Sequence, residues 1–168
     1  TRPKRKNLVQ LDAFSIPSRG VPEICWDLPP GAMVRMTGET GAGKTSVLDA
    51  LAGVLDFPHS VPITGSLVSS LSQSSVGYVP HDPRGLFLAG SVRDEIALGL
   101  VVQGVSRRDA RVRAEEILGE WNLAYLSARH PGDISEGEAV LLGILAALVR
   151  KPQLLLLDEP LGVLDRVR

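Results

Sequence analysis

A single cysteine, Cys25, occurs in the 168 residues, so no internal disulfide can form and a reducing compartment fits. An excess of either charge is also missing. The formal net charge is −1, which removes any global electrostatic pull towards nucleic acid or anionic lipid. The local exception is the opening TRPKRK (1–6), read as a solvated tail or linker, with a basic arm as the alternative. No apolar run is long enough to cross a bilayer: Ala139 to Val149 spans 11 residues against the ~20 required, and reads as a buried helix. The basic start is not followed by an apolar segment, so no secretory signal is read. Internal repeats and low-complexity segments are absent too. The chain opens at Thr1 without a methionine and stops at LDRVR, and both ends are expected to be cut ends. What remains is a length that suits one domain, 44% hydrophobic and so able to build a sizeable core.

The pattern along the chain alternates strand and helix signals. AMVRM (32–36) is a short apolar run after PPG and reads as a strand feeding a glycine-rich loop. Val47, Leu48, Leu51 and Val54 then recur at helical spacing, with Gly53 near the end. Residues 56–75 are rich in Pro, Ser and Gly around short β-like pieces, and suggest a small antiparallel patch. SVGYVP (75–80) reads as a core strand closed by Pro80. SVRDEIALGL and SRRDARVRAEEILGEW read as amphipathic helices, the second opened by a Ser106/Asp109 capping box. DISEGEAVLLGILAALVRK continues as a mostly apolar helix. PQLLLLDEP is an apolar run without alternation, which suits a strand covered on both faces, as in a parallel sheet.

The segment GETGAGKTS (38–46) carries the clearest chemistry. Gly38, Gly43, Lys44 and Thr45 satisfy G-x-x-x-x-G-K-[ST], and a chance match in a chain this long is on the order of one in two hundred. Glycines allow the backbone to curl and aim successive N–H groups at a phosphate. The helix that follows offers its N-terminal amides and positive dipole end to the same anion. In such a loop Lys44 reaches the β/γ-phosphates and the Thr45 hydroxyl ligates Mg²⁺. Asp158 and Glu159, closing the second apolar strand, supply complementary chemistry. A strand of that kind ends at the sheet edge where α/β folds bind ligands. Asp158 is placed to hold Mg²⁺, and Glu159 to orient or deprotonate an attacking water.

Together these elements resemble the ATPase domain of ATP-binding-cassette (ABC) transporters over nearly the whole chain. VGYVPHDP resembles the family's Q-loop, ISEGE (134–138) its LSGGQ signature, KPQLLLLDEP its Walker B strand, and LGVLD its D-loop, with Asp165 matching the aspartate. SVRDEIALGL and the HPGDISEGE region look most like energy-coupling-factor and cobalt-type importer ATPases. The resemblance implies an α/β fold of the P-loop NTPase class. It would comprise a RecA-like core with a parallel sheet (7–82 and 138–168), an antiparallel β patch and an inserted α-helical subdomain (83–137), in one domain (1–168) incomplete at its C-terminus. It implies ATP and Mg²⁺ as cofactors. Gly38, Glu39, Thr40, Gly41, Ala42, Gly43, Lys44, Thr45 and Ser46 would bind ATP, and Ile16 would cover the adenine. Thr45 and Asp158 would hold the metal, while Glu159 and His81 would act in catalysis. Ser135, Gly137 and Glu138 form the signature, lent to the nucleotide of a second ABC ATPase domain in a head-to-tail dimer. An integral membrane transporter subunit is the other implied partner, with the chain peripheral on the cytoplasmic face of the cell membrane. Nucleic acid is not an expected partner.

Several positions depart from the family pattern. His81 stands where a glutamine is expected, Glu136 replaces the first signature glycine, and Ile16 replaces an aromatic residue. No switch histidine follows the D-loop; His59 and His130 lie in the wrong segments and read as surface-loop residues. Poor ATPase activity is therefore expected of this stretch alone. The groups serving the chain's own nucleotide are intact apart from His81 and Ile16, whereas the signature it lends is altered. An asymmetric dimer is one expectation from that pattern. A nucleotide-binding regulatory half with little turnover is a second reading, and a soluble ABC ATPase of DNA repair or translation a third. The compact stretch between Q-loop and signature favours transport over the last.

Overall fold

The computed structural model describes residues 7–54 and 62–160. TRPKRK, His59 and the LGVLD segment with Asp165 lie outside the described residues. The chain divides into two compact units, Thr1–Val76 and Gly77–Arg168.

In the first unit, strand β1 (Val9–Ile16) pairs antiparallel with β2 (Val21–Leu28), and the connecting turn ends at Gly20 with φ 71°. Helix α1 (Lys44–Ala52) follows the glycine-rich loop, and β3 (Thr64–Ser69) completes a sheet of order β2-β1-β3. Of the antiparallel patch expected near 56–75, the described residues contain β3, antiparallel to β1, while 56–61 lie outside the described residues. Apolar residues of β1 occupy positions 9, 11, 14 and 16, a spacing that strict alternation cannot bury on one face. A bulge resolves this: Ala13 takes φ 49°, the register shifts around it, and Phe14 and Ile16 turn inward beside Leu11. A Cβ at Gly65 would overlap the Ala13 carbonyl, so the bulge requires glycine on the facing strand. Phe14, Ile16 and Val21 pack with Val47 and Ala50 of α1. Each of the larger side chains contributes about 1.5–3 kcal/mol by leaving water.

The strand expected at AMVRM does not form. No ladder partner is assigned to residues 32–36 among the described residues, and Met33 and Val34 are exposed. An apolar run becomes a strand only when its N–H and C=O groups find a neighbouring ladder.

In the second unit, β4 (Val76–Val79) pairs with β5 (Leu154–Leu157). The Asp158 amide donates to the Val79 carbonyl at 3.0 Å. The carboxyl ends of the two strands therefore lie side by side, as in a parallel pair. Leu156 is buried and its neighbours in β5 are half-buried. Helices α2 (Val92–Val102) and α3 (Arg107–Glu120) form where amphipathic helices are expected, and α4 (Glu136–Leu148) where a mostly apolar one is. Ile96, Ala110, Ala114, Leu118, Leu142 and Leu145 form the centre of their shared core. The Ser106 hydroxyl caps α3 by accepting from the Asp109 amide. The reciprocal half differs from the expected capping box: Asp109 accepts from the Ser106 hydroxyl at 2.7 Å. Aspartate is one methylene shorter than the glutamate of that motif. Buried Glu95 in the first turn of α2 accepts from the Leu88 and Ala89 amides, both at 2.8 Å, and pins the segment that leads into the helix. Among the described residues, no helix is long and apolar enough to cross a membrane.

Candidate functional site

The glycine-rich loop is shaped by backbone that only glycine adopts without strain. Gly41 and Gly43 have φ 86° and 81°. A Cβ at Gly43 would sit 2.6 Å from Val21 Cγ2 and 3.0 Å from the Arg19 carbonyl oxygen, so the loop is pressed against the β1–β2 turn. The Ala42 amide closes a turn onto the Glu39 carbonyl at 3.1 Å. Lys44 Nζ donates to the Gly38 and Glu39 carbonyls at 3.0 and 3.1 Å, which lays its ammonium back across the loop. Gly38, Glu39, Thr40, Gly41, Ala42 and Thr45 are exposed, and Ser46 is half-buried in the first turn of α1. Gly43 caps α1 without a side-chain hydrogen bond, and no acidic residue occupies the first turn. A helix end of this kind presents N–H groups and positive dipole to an anion.

Ile16 is a correction. Its side chain is fully buried in the core beneath β1 and β2 and offers no face to a base. The bulge at Ala13 is the cause, because it rotates position 16 inward. What stands exposed at that end of the sheet is the turn Pro17–Arg19 with Gly20; the Arg19 carbonyl lies against Gly43, and Gly20 lies against the Gly41 carbonyl.

In the second unit, Asp158 is 5% exposed at the end of β5, and Glu159 beside it is exposed with φ 48°. A non-glycine residue in the left-handed region carries backbone strain, which concentrates at functional positions. His81 is exposed just past β4. The segment behind it is anchored: the Asp82 carboxylate accepts from the Arg84 amide at 3.1 Å, and the Arg84 guanidinium donates to the Ile134 carbonyl at 3.2 Å. That carbonyl immediately precedes Ser135, so the His81 segment and the start of α4 are joined.

The start of α4 is a complete capping box. Ser135 Oγ accepts from the Glu138 amide at 3.3 Å, and Glu138 Oε2 accepts from the Ser135 amide at 2.7 Å. Tyr125 then donates its hydroxyl to Glu138 Oε1 at 2.7 Å. These contacts hold the Glu138 carboxyl below the usual carboxylate range, the Ser135 hydroxyl contributing most, then Tyr125 and the Ser135 amide, against a smaller opposing effect of burial. Gly137 is buried in the same turn, while Ser135 and Glu136 are exposed. The pattern S-x-x-E at 135–138 announces the box; Tyr125 and Arg84 carry no comparable mark in the sequence.

Among the described residues no cluster of three or more His, Cys, Asp or Glu side chains could hold a metal by itself. Mg²⁺ does not need one: it binds through one or two protein oxygens together with substrate phosphates and water. The Thr45 hydroxyl and the Asp158 carboxylate are donors of that hard-oxygen type.

The family described as ABC transporter matches residues 21–162. The chain is 38% identical over 160 residues to the Fe(3+) ions import ATP-binding protein FbpC 1 of Rhizobium meliloti, covering 93% of this chain and 44% of that protein. It is 36% identical over 146 residues to the lipoprotein-releasing system ATP-binding protein LolD of Bordetella avium, covering 81% of this chain and 63% of that protein. The chain thus spans less than half the length of the iron-import relative. Among solved structures, CbiO1 of Clostridium perfringens, part of the ABC transporter complex CbiONQ, has a similar fold. Its TM-score is 0.72 at 21% identity, over 96% of this chain and 68% of that one. An inward-facing putative metal-chelate type ABC transporter gives 0.71 at 24% identity, over 96% and 63%. Both likenesses concern the α/β P-loop NTPase fold expected from the motifs.

Proposed function

The chain belongs to the ABC transporter family, and we propose on that footing that it is the ATP-binding and ATP-hydrolysing subunit of a transporter, powering import of a small solute. The observation that carries this reading is the first turn of α1. Its cap is Gly43, which has no side chain; the turn holds no acidic residue, and Gly41 and Gly43 are both left-handed, with Lys44 folded over the loop. That arrangement suits a polyphosphate.

In this reading the backbone N–H groups of residues 38–46 surround the β- and γ-phosphates. Lys44 exchanges its two carbonyl contacts for phosphate oxygens. Thr45 and Asp158 would hold Mg²⁺, which would supply positive charge to offset that of the phosphates. Glu159 orients the attacking water and takes its proton. His81 lines the same reaction from the segment after β4. Ser135, Gly137 and Glu138 serve the nucleotide of a second ATPase domain, and an integral membrane subunit receives the work, with this chain on the cytoplasmic face. The division into a nucleotide-binding core (7–82, 138–168) and a helical subdomain (83–137) belongs to the same proposal.

Glu159→Gln tests it. The variant should retain ATP, lose turnover by at least about a hundredfold and accumulate as a nucleotide-bound dimer. Unchanged turnover with no nucleotide-dependent dimer would refute the hydrolytic role.

One observation favours a second reading, in which the two sites of the dimer are unequal. The first turn of α4 holds Glu136 and Glu138, whereas that of α1 holds no acid. Negative charge at a helix N-terminus opposes a phosphate there. The site completed by this α4 would then turn over slowly. Equal loss of activity from Lys44→Ala and from the matching change in the partner would refute inequality.

A further inference from the structure

We propose that Tyr125 is a positioning residue for the start of α4: its hydroxyl holds the Glu138 carboxylate in the place where it caps Ser135, and so fixes Ser135 for the partner's nucleotide. The inference rests on the proposed role of α4 and goes beyond it by naming a residue outside every motif.

The geometry is a chain of three groups. Tyr125 belongs to the short 3₁₀ turn Ala124–Leu126, whose Leu126 is fully buried, so the turn is anchored in the helical core. Its hydroxyl donates to Glu138 Oε1 at 2.7 Å, and Glu138 Oε2 accepts from the Ser135 amide at 2.7 Å. Both carboxylate oxygens are therefore engaged. Without Tyr125 the Glu138 side chain has further rotamers open to it, and the Ser135 end of the box loosens. The clasp also commits one of the two negative charges in this turn, which otherwise opposes a phosphate.

The charged and titratable groups near Glu138 are consistent with this. Tyr125 is shifted upward, first by its bond to Glu138, and Arg129 contributes to lowering Glu138. Asp133 and Glu136 flank the turn in sequence, and Arg84 approaches from the segment after β4 through the Ile134 carbonyl. Because the Glu138 carboxyl is lowered in the folded chain, the clasp is in place above the ordinary carboxylate range. It is lost as pH falls through the lowered value.

The test uses the full chain in its native assembly with Tyr125→Phe, which removes one hydroxyl and leaves the ring, and Glu138→Gln, which removes the titration. Carbon-detected NMR follows the Glu138 carboxyl, and ATP turnover is measured across the acid pH range. Tyr125→Phe should raise the Glu138 titration, move the acid limb of turnover the same way and lower kcat about fivefold with KM little changed. Glu138→Gln should remove the part of that limb that Tyr125→Phe moves, leaving the part set by the Glu159 base. An unshifted Glu138 titration in Tyr125→Phe would overturn the clasp. A shifted titration with an unchanged pH profile and kcat would overturn the positioning role. Failure of the functional reading looks different: ATP binding that is insensitive to Lys44→Ala, with the NMR result intact.

Discussion

Arg84 donates a guanidinium hydrogen bond to the Ile134 carbonyl across fifty residues of sequence, at 3.2 Å in a part-buried setting. The bond ties the segment that carries His81 to the residue preceding Ser135. A single net hydrogen bond from a charged donor contributes about 1–2 kcal/mol in such a setting. Arg84→Ala should lower unfolding stability by that amount in urea titration, and Arg84→Lys by less. Loss of the fork geometry keeps lysine from full rescue.

Glu95 makes a sharper prediction because it is buried and serves two amides. Glu95→Ala leaves the Leu88 and Ala89 N–H groups without their partner. The expected cost is about 2–3 kcal/mol, with increased amide exchange confined to residues near 88 and 89. Glu95→Gln keeps an acceptor oxygen and should cost about half as much.

Gly43→Ala tests the loop. The position has φ 81°, and the added Cβ meets Val21 Cγ2 at 2.6 Å. Left-handed backbone costs an alanine about 1–2 kcal/mol, and the contact adds to it. ATP affinity should fall at least about tenfold, read by equilibrium titration, while α2–α4 keep their amide protection.

Asp94 gives a pH prediction. Burial pushes its carboxyl up, but hydrogen bonds from Arg111 and Ser91 and the charges of Arg111 and Arg93 outweigh it, so the net shift is downward. A lowered folded value means stability that is present above the ordinary aspartate range and is lost as pH falls through the folded value. Asp94→Asn should flatten the acid side of the stability profile. Arg111 is 61% exposed, so the change at neutral pH should be small, about 0.5 kcal/mol.

Much of this was legible in residues whose signals are local. The glycines at 41 and 43, the Ser106 cap and the apolar run before Asp158 each announce their geometry within a few positions. The bulge at Ala13 leaves a trace in the three-residue step from Leu11 to Phe14 between two-residue steps, but the family resemblance that assigns Ile16 to the adenine takes no account of how the bulge turns that side chain inward. The expected strand at 32–36 shows the limit of apolar runs, since a strand needs a ladder partner that its own sequence does not encode. Tyr125 and Arg84 reach thirteen and fifty residues along the chain. Such contacts are set by how helices pack, and no periodicity marks them.

The account stands on the phosphate loop, and Mg-ATP binding measured by calorimetry on the chain and on Lys44→Ala tests it most directly. Saturable binding that weakens at least about tenfold in Lys44→Ala, with an unchanged thermal midpoint, is the expected result. Equal affinity in the two proteins, or no binding by either, would contradict it.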